Sequence, residues 1–233
     1  MFRKQAAFRH EESIIPVSAY IKSALFLVPT AVTLFGSAGT LAIVGFWIYI
    51  AIYAAAFVVS LLILDPDLLR ERMRPGGKRV PLTLHLVTVV LFIHWIIAGL
   101  DRGRFHWSDT VPVWLQAAAF VVTVAGWVLA LWAMRVNRFF SSVARIQSDR
   151  GQHVITSGPY AFVRHPGYLA GFAMLVASGL SLGSWLATAA LLILCIPGLI
   201  YRAVTEDRML QAELPGYPDY AARVRWRIVP GVW

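Results

Sequence analysis

The sequence predicts an all-α integral membrane protein. About six transmembrane helices end in a tight C-terminal helical hairpin and a cytoplasmic tail. Three observations lead there. Of 233 residues, 58% are hydrophobic and the mean hydropathy is +0.66, against roughly 45–50% apolar content in soluble domains. The apolar residues fall into six runs, several near the ~20 residues a helix needs to cross a ~30 Å hydrocarbon core. Basic residues crowd into alternate connections between those runs, as topology requires.

Val17–Gly36 is the first run, with Lys22 near its entrance and able to snorkel. It is too long for a signal-peptide core and further runs follow, so it reads as a retained helix. Leu41–Leu64 is the second. Leu82–Leu100 is the third and carries His85 and His94. Val111–Met134 is the fourth. Gly167–Leu182 is the fifth and is short for a span; Trp185–Tyr201 is the sixth. Only Gly183 and Ser184 separate the last two, which forces a tight helical hairpin.

One side of this arrangement collects Arg3, Lys4 and Arg9, then Arg70, Arg72, Arg74, Lys78 and Arg79, then Arg135, Arg138, Arg145, Arg150 and Arg164, then Arg202, Arg208, Arg223, Arg225 and Arg227. The other side holds only Arg102 and Arg104. Both termini are therefore expected in the cytoplasm, with the chain in the inner membrane of a bacterium. The formal charge is +9, but because its bearers flank apolar runs, lipid headgroups account for it and nucleic acid is not an expected partner. Residues 1–135 read as a four-helix membrane region, and 136–233 as a loop, hairpin and tail forming one catalytic unit. Trp47, Trp107, Trp114, Trp127, Trp132, Trp185 and Trp226 read mostly as interfacial belts.

No metal site is expected. The single cysteine, Cys195, lies in an apolar run without companions, and reads as a small buried hydrophobe. His85 and His94 do not share a helix face; a membrane histidine satisfied by a neighbouring helix is the simpler reading. His106 and His153 lie in loops without ligand-like company. The chain has no Walker loop, GxGxxG, HExxH or GxSxG, so a soluble Rossmann-type domain has no support.

Three polar clusters face the basic side. They are Asn137, Arg138, Ser141 and Ser142; the loop Ser157–Tyr168; and Arg202, Glu206 and Asp207. If the last two runs form a hairpin, its open ends bring Arg164 and His165 beside Arg202 and Glu206. Arg202 and Glu206 stand i,i+4 and can pair, either as an ordinary interfacial ion pair or as the polar wall of a pocket. Asp207 lies about 100° around the helix from Glu206. Pro166 suits the first turn of a helix, whose free N–H groups favour an anionic ligand; a solvated His165 in a helix-entry loop is the plainer alternative.

The loop Ser157-Gly158-Pro159-Tyr160 to Arg164-His165-Pro166-Gly167-Tyr168 resembles the GPYxxxRHPxY signature of isoprenylcysteine carboxyl methyltransferases, part of a wider group of membrane methyltransferases that includes phospholipid methyltransferases. Arg202-Ala203-Val204-Thr205-Glu206-Asp207 resembles the group's RxxxEE element, with Asp at the second acid. Leu214-Pro215-Gly216-Tyr217, Tyr220 and Arg227-Ile228-Val229-Pro230 resemble its tyrosine-rich ending. The resemblance covers about the last 100 residues, from Arg135 onward, and an Asn-Pro sometimes found in the hairpin is replaced by Gly183-Ser184. It implies S-adenosylmethionine as cofactor. Tyr160, Arg164, His165, Pro166 and Tyr168 would line its site, Gly158 and Pro159 would shape it, and Gly171 would leave room for it. Glu206 and Asp207 would contact it, and Arg202 and Glu206 would be the catalytic pair. The implied acceptor is lipophilic: an isoprenoid or prenyl-cysteine carboxylate, or a phospholipid headgroup. Two other readings stay open: a membrane reductase using NADPH on a sterol-like lipid, and a non-enzymatic transporter or assembly factor.

Overall fold

A computed structural model describes residues 17–73, 75–77 and 82–233. The expectations placed on Arg3, Lys4, Arg9, Arg74, Lys78, Arg79 and the side chain of Lys22 fall outside what it describes. All regular structure among the described residues is helical. In chain order it comprises α1 (Val17–Ala38), α2 (Val44–Ile63), α3 (Pro66–Met73), α4 (Leu82–Leu100), α5 (Val113–Val136), α6 (Pro166–Ser181), α7 (Trp185–Glu213) and α8 (Tyr217–Arg223).

Four stretches are long and apolar enough to cross a bilayer: Val44–Ile63, His85–Phe105, Val113–Val136 and Trp185–Glu213. Pro166–Ser181 is a shorter apolar helix, and Phe26–Ala38 is the apolar stretch of α1 whose side chains are described. The 16 residues of α6 rise about 24 Å, less than the ~30 Å hydrocarbon core. The apolar runs are thus all helical among the described residues, but α6 is shorter than a hydrocarbon core is thick. α7 departs most from its run. It continues past Tyr201 to Glu213, with Pro197 inside it, and carries Arg202, Glu206 and Asp207 on its polar extension.

Large apolar side chains such as Leu62, Val113 and Ile193 point outward, the pattern of a lipid-facing surface, while polar groups turn inward. His94 is an example. Its Nδ1–H donates to the Ala187 carbonyl at 3.0 Å, and Nε2 accepts from the Ser178 hydroxyl at 2.9 Å, which also meets Tyr49 Oη at 2.9 Å. The expected histidine satisfied by a neighbouring helix is what forms. Trp127 is less interfacial than its position suggested: it packs edge-on against Tyr53 and Phe57.

The two ends of the molecule are built differently. At one end, where α6 turns into α7, Ser184 caps α7 by accepting from Ala187 N–H at 3.0 Å. Its hydroxyl also meets the enclosed carboxylate of Asp101, which accepts from the Ser108 amide at 2.7 Å. Arg102 pairs with Asp109 at 3.4 Å, and Arg104 donates to the Ser37 carbonyl at 2.6 Å. Leu34, Phe35, Phe46, Trp95, Ala98 and Leu182 fill the core there. Gly99 is obligatory in that core, since a Cβ would fall 2.5 Å from the Leu34 carbonyl oxygen. At the other end Leu64, Leu68, Leu69, Met134 and Ala170 pack α3 beneath α5 and α6, and above them lies the cavity described next.

Candidate functional site

The cavity has a volume of about 300 Å3. Its floor is the start of α6, one wall is the polar extension of α7, and the other is the irregular segment 137–157, with α3 behind it. Pro166 occupies the first turn of α6, where a missing N–H costs nothing. Gly158 opens the preceding 3-10 turn at φ +60°, a left-handed conformation that glycine adopts freely.

One carboxylate organises the neighbourhood. Asp207 is fully enclosed and accepts six hydrogen bonds. Oδ1 takes Arg164 Nε at 2.8 Å, His165 Nε2 at 3.1 Å and Tyr217 Oη at 3.0 Å. Oδ2 takes Arg164 Nη2 at 3.0 Å, Gln211 Nε2 at 2.8 Å and Arg227 Nε at 3.1 Å. Arg164 completes its fork with the carbonyls of Val224 and Arg225, both at 3.0 Å. Backbone bonds add to this: Arg164 N–H donates to the Trp226 carbonyl at 2.9 Å, and His165 N–H to that of Arg227 at 2.8 Å. Loop, helix and tail are thereby locked together. A bidentate guanidinium with further donors is the geometry in which burying charge is tolerated.

Asp207, expected beside the cofactor, does not line the cavity, and both of its oxygens are taken up by donors of the chain. The reason is its place on the helix, which turns it toward the tail while Glu206 faces the cavity. Gly158, Pro159 and Gly171 also lie off the lining; a Cβ on Gly171 would touch Leu199 at 3.6 Å, an ordinary contact, instead of filling ligand space. Gly167, which the signature treats as variable, is the tighter position, for a Cβ there would meet the Phe140 ring at 2.5 Å.

Tyr160, Arg164, His165, Pro166, Tyr168, Arg202 and Glu206 do line the cavity. The possible Arg202–Glu206 pair is not the one formed. Glu206 Oε2 accepts instead from Tyr168 Oη at 2.7 Å, while Arg202 Nη2 donates to the Ser142 carbonyl at 2.9 Å. Each charged group thus bridges α7 to a different wall. Tyr160 accepts from Asn137 Nδ2 at 3.0 Å and its carbonyl accepts from Tyr220 Oη at 2.7 Å. Burial pushes the phenols of Tyr160, Tyr217 and Tyr220 above their ordinary value, and the neighbouring Asp207 adds to the effect at Tyr217. They stay protonated at neutral pH, and Tyr217 and Tyr220 act as hydrogen-bond donors.

The sequence did not single out Phe139, Phe140, Met209, Leu210 or Arg72 as lining residues. The signal for the apolar ones was weak, because they belong to irregular chain or to the cavity-facing side of α7 beyond its apolar run. Arg72 comes from the N-terminal half, so the cavity is not confined to residues 136–233.

A family model for phospholipid methyltransferases matches residues 114–214, which run from α5 to the end of α7. The solved structure of the eukaryotic intramembrane Ras methyltransferase, isoprenylcysteine carboxyl methyltransferase, superposes with a TM-score of 0.64 over 92% of this chain and 77% of that one, at 18% identity. The chain is related in fold and in part of its sequence to the membrane methyltransferases. Two bacterial proteins are also similar. The nickel-cobalt-cadmium resistance protein NccN of Alcaligenes xylosoxydans xylosoxydans is 32% identical over 130 residues, 55% of this chain and 56% of that one. The cobalt-zinc-cadmium resistance protein CzcN of Cupriavidus metallidurans is 31% identical over 145 residues, 61% and 62% respectively. The chain thus matches less than two thirds of the length of either relative.

Proposed function

We propose that this chain is an S-adenosylmethionine-dependent methyltransferase that acts on a lipophilic acceptor at the cytoplasmic border of the membrane, with both termini on the cytoplasmic side. The observation that carries the reading is the cavity itself. It lies where the RHP loop meets α7, most of its lining falls within the matched segment, and Glu206 is the one carboxylate among its described lining residues.

The lining fits such a cofactor. A ligand bearing a sulfonium, an ammonium, a carboxylate and an adenine needs an acid, a guanidinium and flat apolar faces. Glu206, Arg202 and the rings of Tyr160, Tyr168 and Phe139 supply them. When bound, the cofactor supplies an electrophilic methyl group. The chain's task is alignment in a site shielded from water. Tyr168 fixes the Glu206 carboxylate, and Arg202, braced on Ser142, orients an acid headgroup or the cofactor's carboxylate. A carboxylate acceptor is already nucleophilic and needs no base. An amine acceptor would pass its proton to Glu206, the acid within reach. Arg164, His165 and Asp207 act through position, holding the loop against the tail.

The names of NccN and CzcN tie them to metal resistance. We infer that any share this chain has in such a role runs through altered membrane lipid, and that a Glu206→Gln strain would lose it together with the methylated lipid. Mass spectrometry of lipids from cells with and without the chain tests the function. A species heavier by one methyl group, present only with the intact chain, is expected. Its absence, or an accumulation of reduced lipid dependent on NADPH, would overturn the reading.

A further inference from the structure

Four arginines line the cavity: Arg72, Arg145, Arg164 and Arg202. Two are already neutralised. Arg145 lies 3.1 Å from Glu71 and 2.7 Å from Asp149, and Arg164 lies 2.8 Å from Asp207. Arg202 is anchored on the Ser142 carbonyl beside Glu206. Arg72 differs from all three. Among the described residues, no carboxylate stands within ion-pair distance of it, and its guanidinium carbon sits 5.1 Å from the centroid of the Phe140 ring.

Its position is well supported. Ser142 Oγ donates to the Arg72 carbonyl at 3.2 Å. The preceding residue, Glu71, accepts from Ser141 Oγ at 3.2 Å, from Arg145 Nε at 3.1 Å and from Gly76 N–H at 3.1 Å. α3 is thus clamped to the cavity wall, and Phe140, seated over Gly167, presents a flat face to the guanidinium. The lining carboxylate Glu206 already holds the Tyr168 hydroxyl. With Arg145 and Arg164 paired, the cavity carries Arg72 and Arg202 against Glu206 alone. A partly desolvated guanidinium without a counter-charge is costly, and an incoming anion removes that cost.

We propose that Arg72 is an oxyanion-binding residue of this cavity, receiving a ligand's carboxylate or phosphate on its planar fork. The identity of the ligand rests on the methyltransferase reading: the anion belongs either to the cofactor's amino-acid end or to an acidic acceptor headgroup.

Wild-type, Arg72→Met and Arg72→Lys chains in detergent would be titrated with four probes. These are S-adenosylhomocysteine; 5′-methylthioadenosine, which lacks the amino-acid end; lysophosphatidate; and the uncharged monoacylglycerol of the same chain length. Arg72→Met is expected to weaken one anionic probe about tenfold to a hundredfold and to leave its counterpart unchanged. Arg72→Lys, which keeps the charge but not the fork, should fall between. Loss confined to S-adenosylhomocysteine assigns the anion to the cofactor; loss confined to lysophosphatidate assigns it to the acceptor. Unchanged affinity for both anionic probes, equal losses for charged and uncharged partners, or a wild-type chain that binds neither anionic probe would overturn the proposal. If Arg72→Met does not fold, unchanged affinities in Arg72→Lys overturn it equally. Wild-type binding of lysophosphatidate through Arg72 without any binding of S-adenosylhomocysteine would sustain this proposal and defeat the methyltransferase reading.

Discussion

Glu206 and Asp207 are adjacent in sequence and opposite in role. Asp207 is enclosed and accepts six hydrogen bonds from loop, helix and tail. Asp207→Asn would leave the Arg164 guanidinium buried beside a neutral amide, and such a loss costs about 3–5 kcal/mol. A large drop in the unfolding temperature of the detergent-solubilised chain is the expected outcome. Glu206→Gln should leave that temperature near the wild-type value and abolish methyl transfer, since among the described residues its carboxylate holds a single hydrogen bond, from the Tyr168 hydroxyl. Tyr168→Phe, which frees the carboxylate by removing one charge-assisted hydrogen bond, should reduce turnover about tenfold. The sequence placed both acids near the site but could not separate them. Spacing gives an angle around a helix, and only the folded tail decides which side becomes the interior.

At the scale of elements, two irregular segments do the positioning. The tail reaches back through the Trp226 and Arg227 carbonyls to the RHP loop, and the Trp233 carbonyl gathers the amides of Arg227, Ile228 and Val229. Deleting residues 226–233 should therefore abolish cofactor binding while leaving the membrane helices formed, which circular dichroism and ligand titration would check together. The segment 137–157 is held by Arg145 between Glu71 and Asp149. Hydrogen bonding to Arg145, against an opposing effect of desolvation, holds the Asp149 carboxyl below its ordinary value. A depressed carboxyl stabilises the fold above its ordinary range, and that contribution disappears as pH falls through its folded value. Wild type and Asp149→Asn should thus differ in unfolding temperature near neutrality and converge in strong acid. The apolar runs made the membrane helices legible, because a helix that faces lipid must be apolar along its length and around its circumference. Their lengths were less legible. α7 outruns its apolar stretch because Arg202 to Glu213 is stabilised by loop and tail contacts that no local pattern encodes.

For the molecule as a whole, the site and the Asp101–Ser184 cluster occupy opposite ends of the helices. Arg102 sits beside the α6–α7 turn, where a Cβ on Gly183 would meet its Nε at 2.9 Å, far along α7 from Glu206. Arg102→Ala should accordingly leave methyl transfer unchanged in a membrane assay; a severe loss would invert the proposed topology. The signature residues of the C-terminal part pointed to one face of the membrane, and the structure brings most of them to one cavity. It also draws in Arg72 from a connection that sequence reading used only for charge counting, since contacts across about 70 residues of chain, such as Ser142 to Arg72, leave no local trace. The most direct measurement supplies purified chain with tritiated methyl-S-adenosylmethionine and a membrane lipid extract. Label is expected to enter the organic phase with the wild type and not with Glu206→Gln. Folded wild type that transfers no label, or Glu206→Gln that transfers as well as wild type, would contradict the methyltransferase reading.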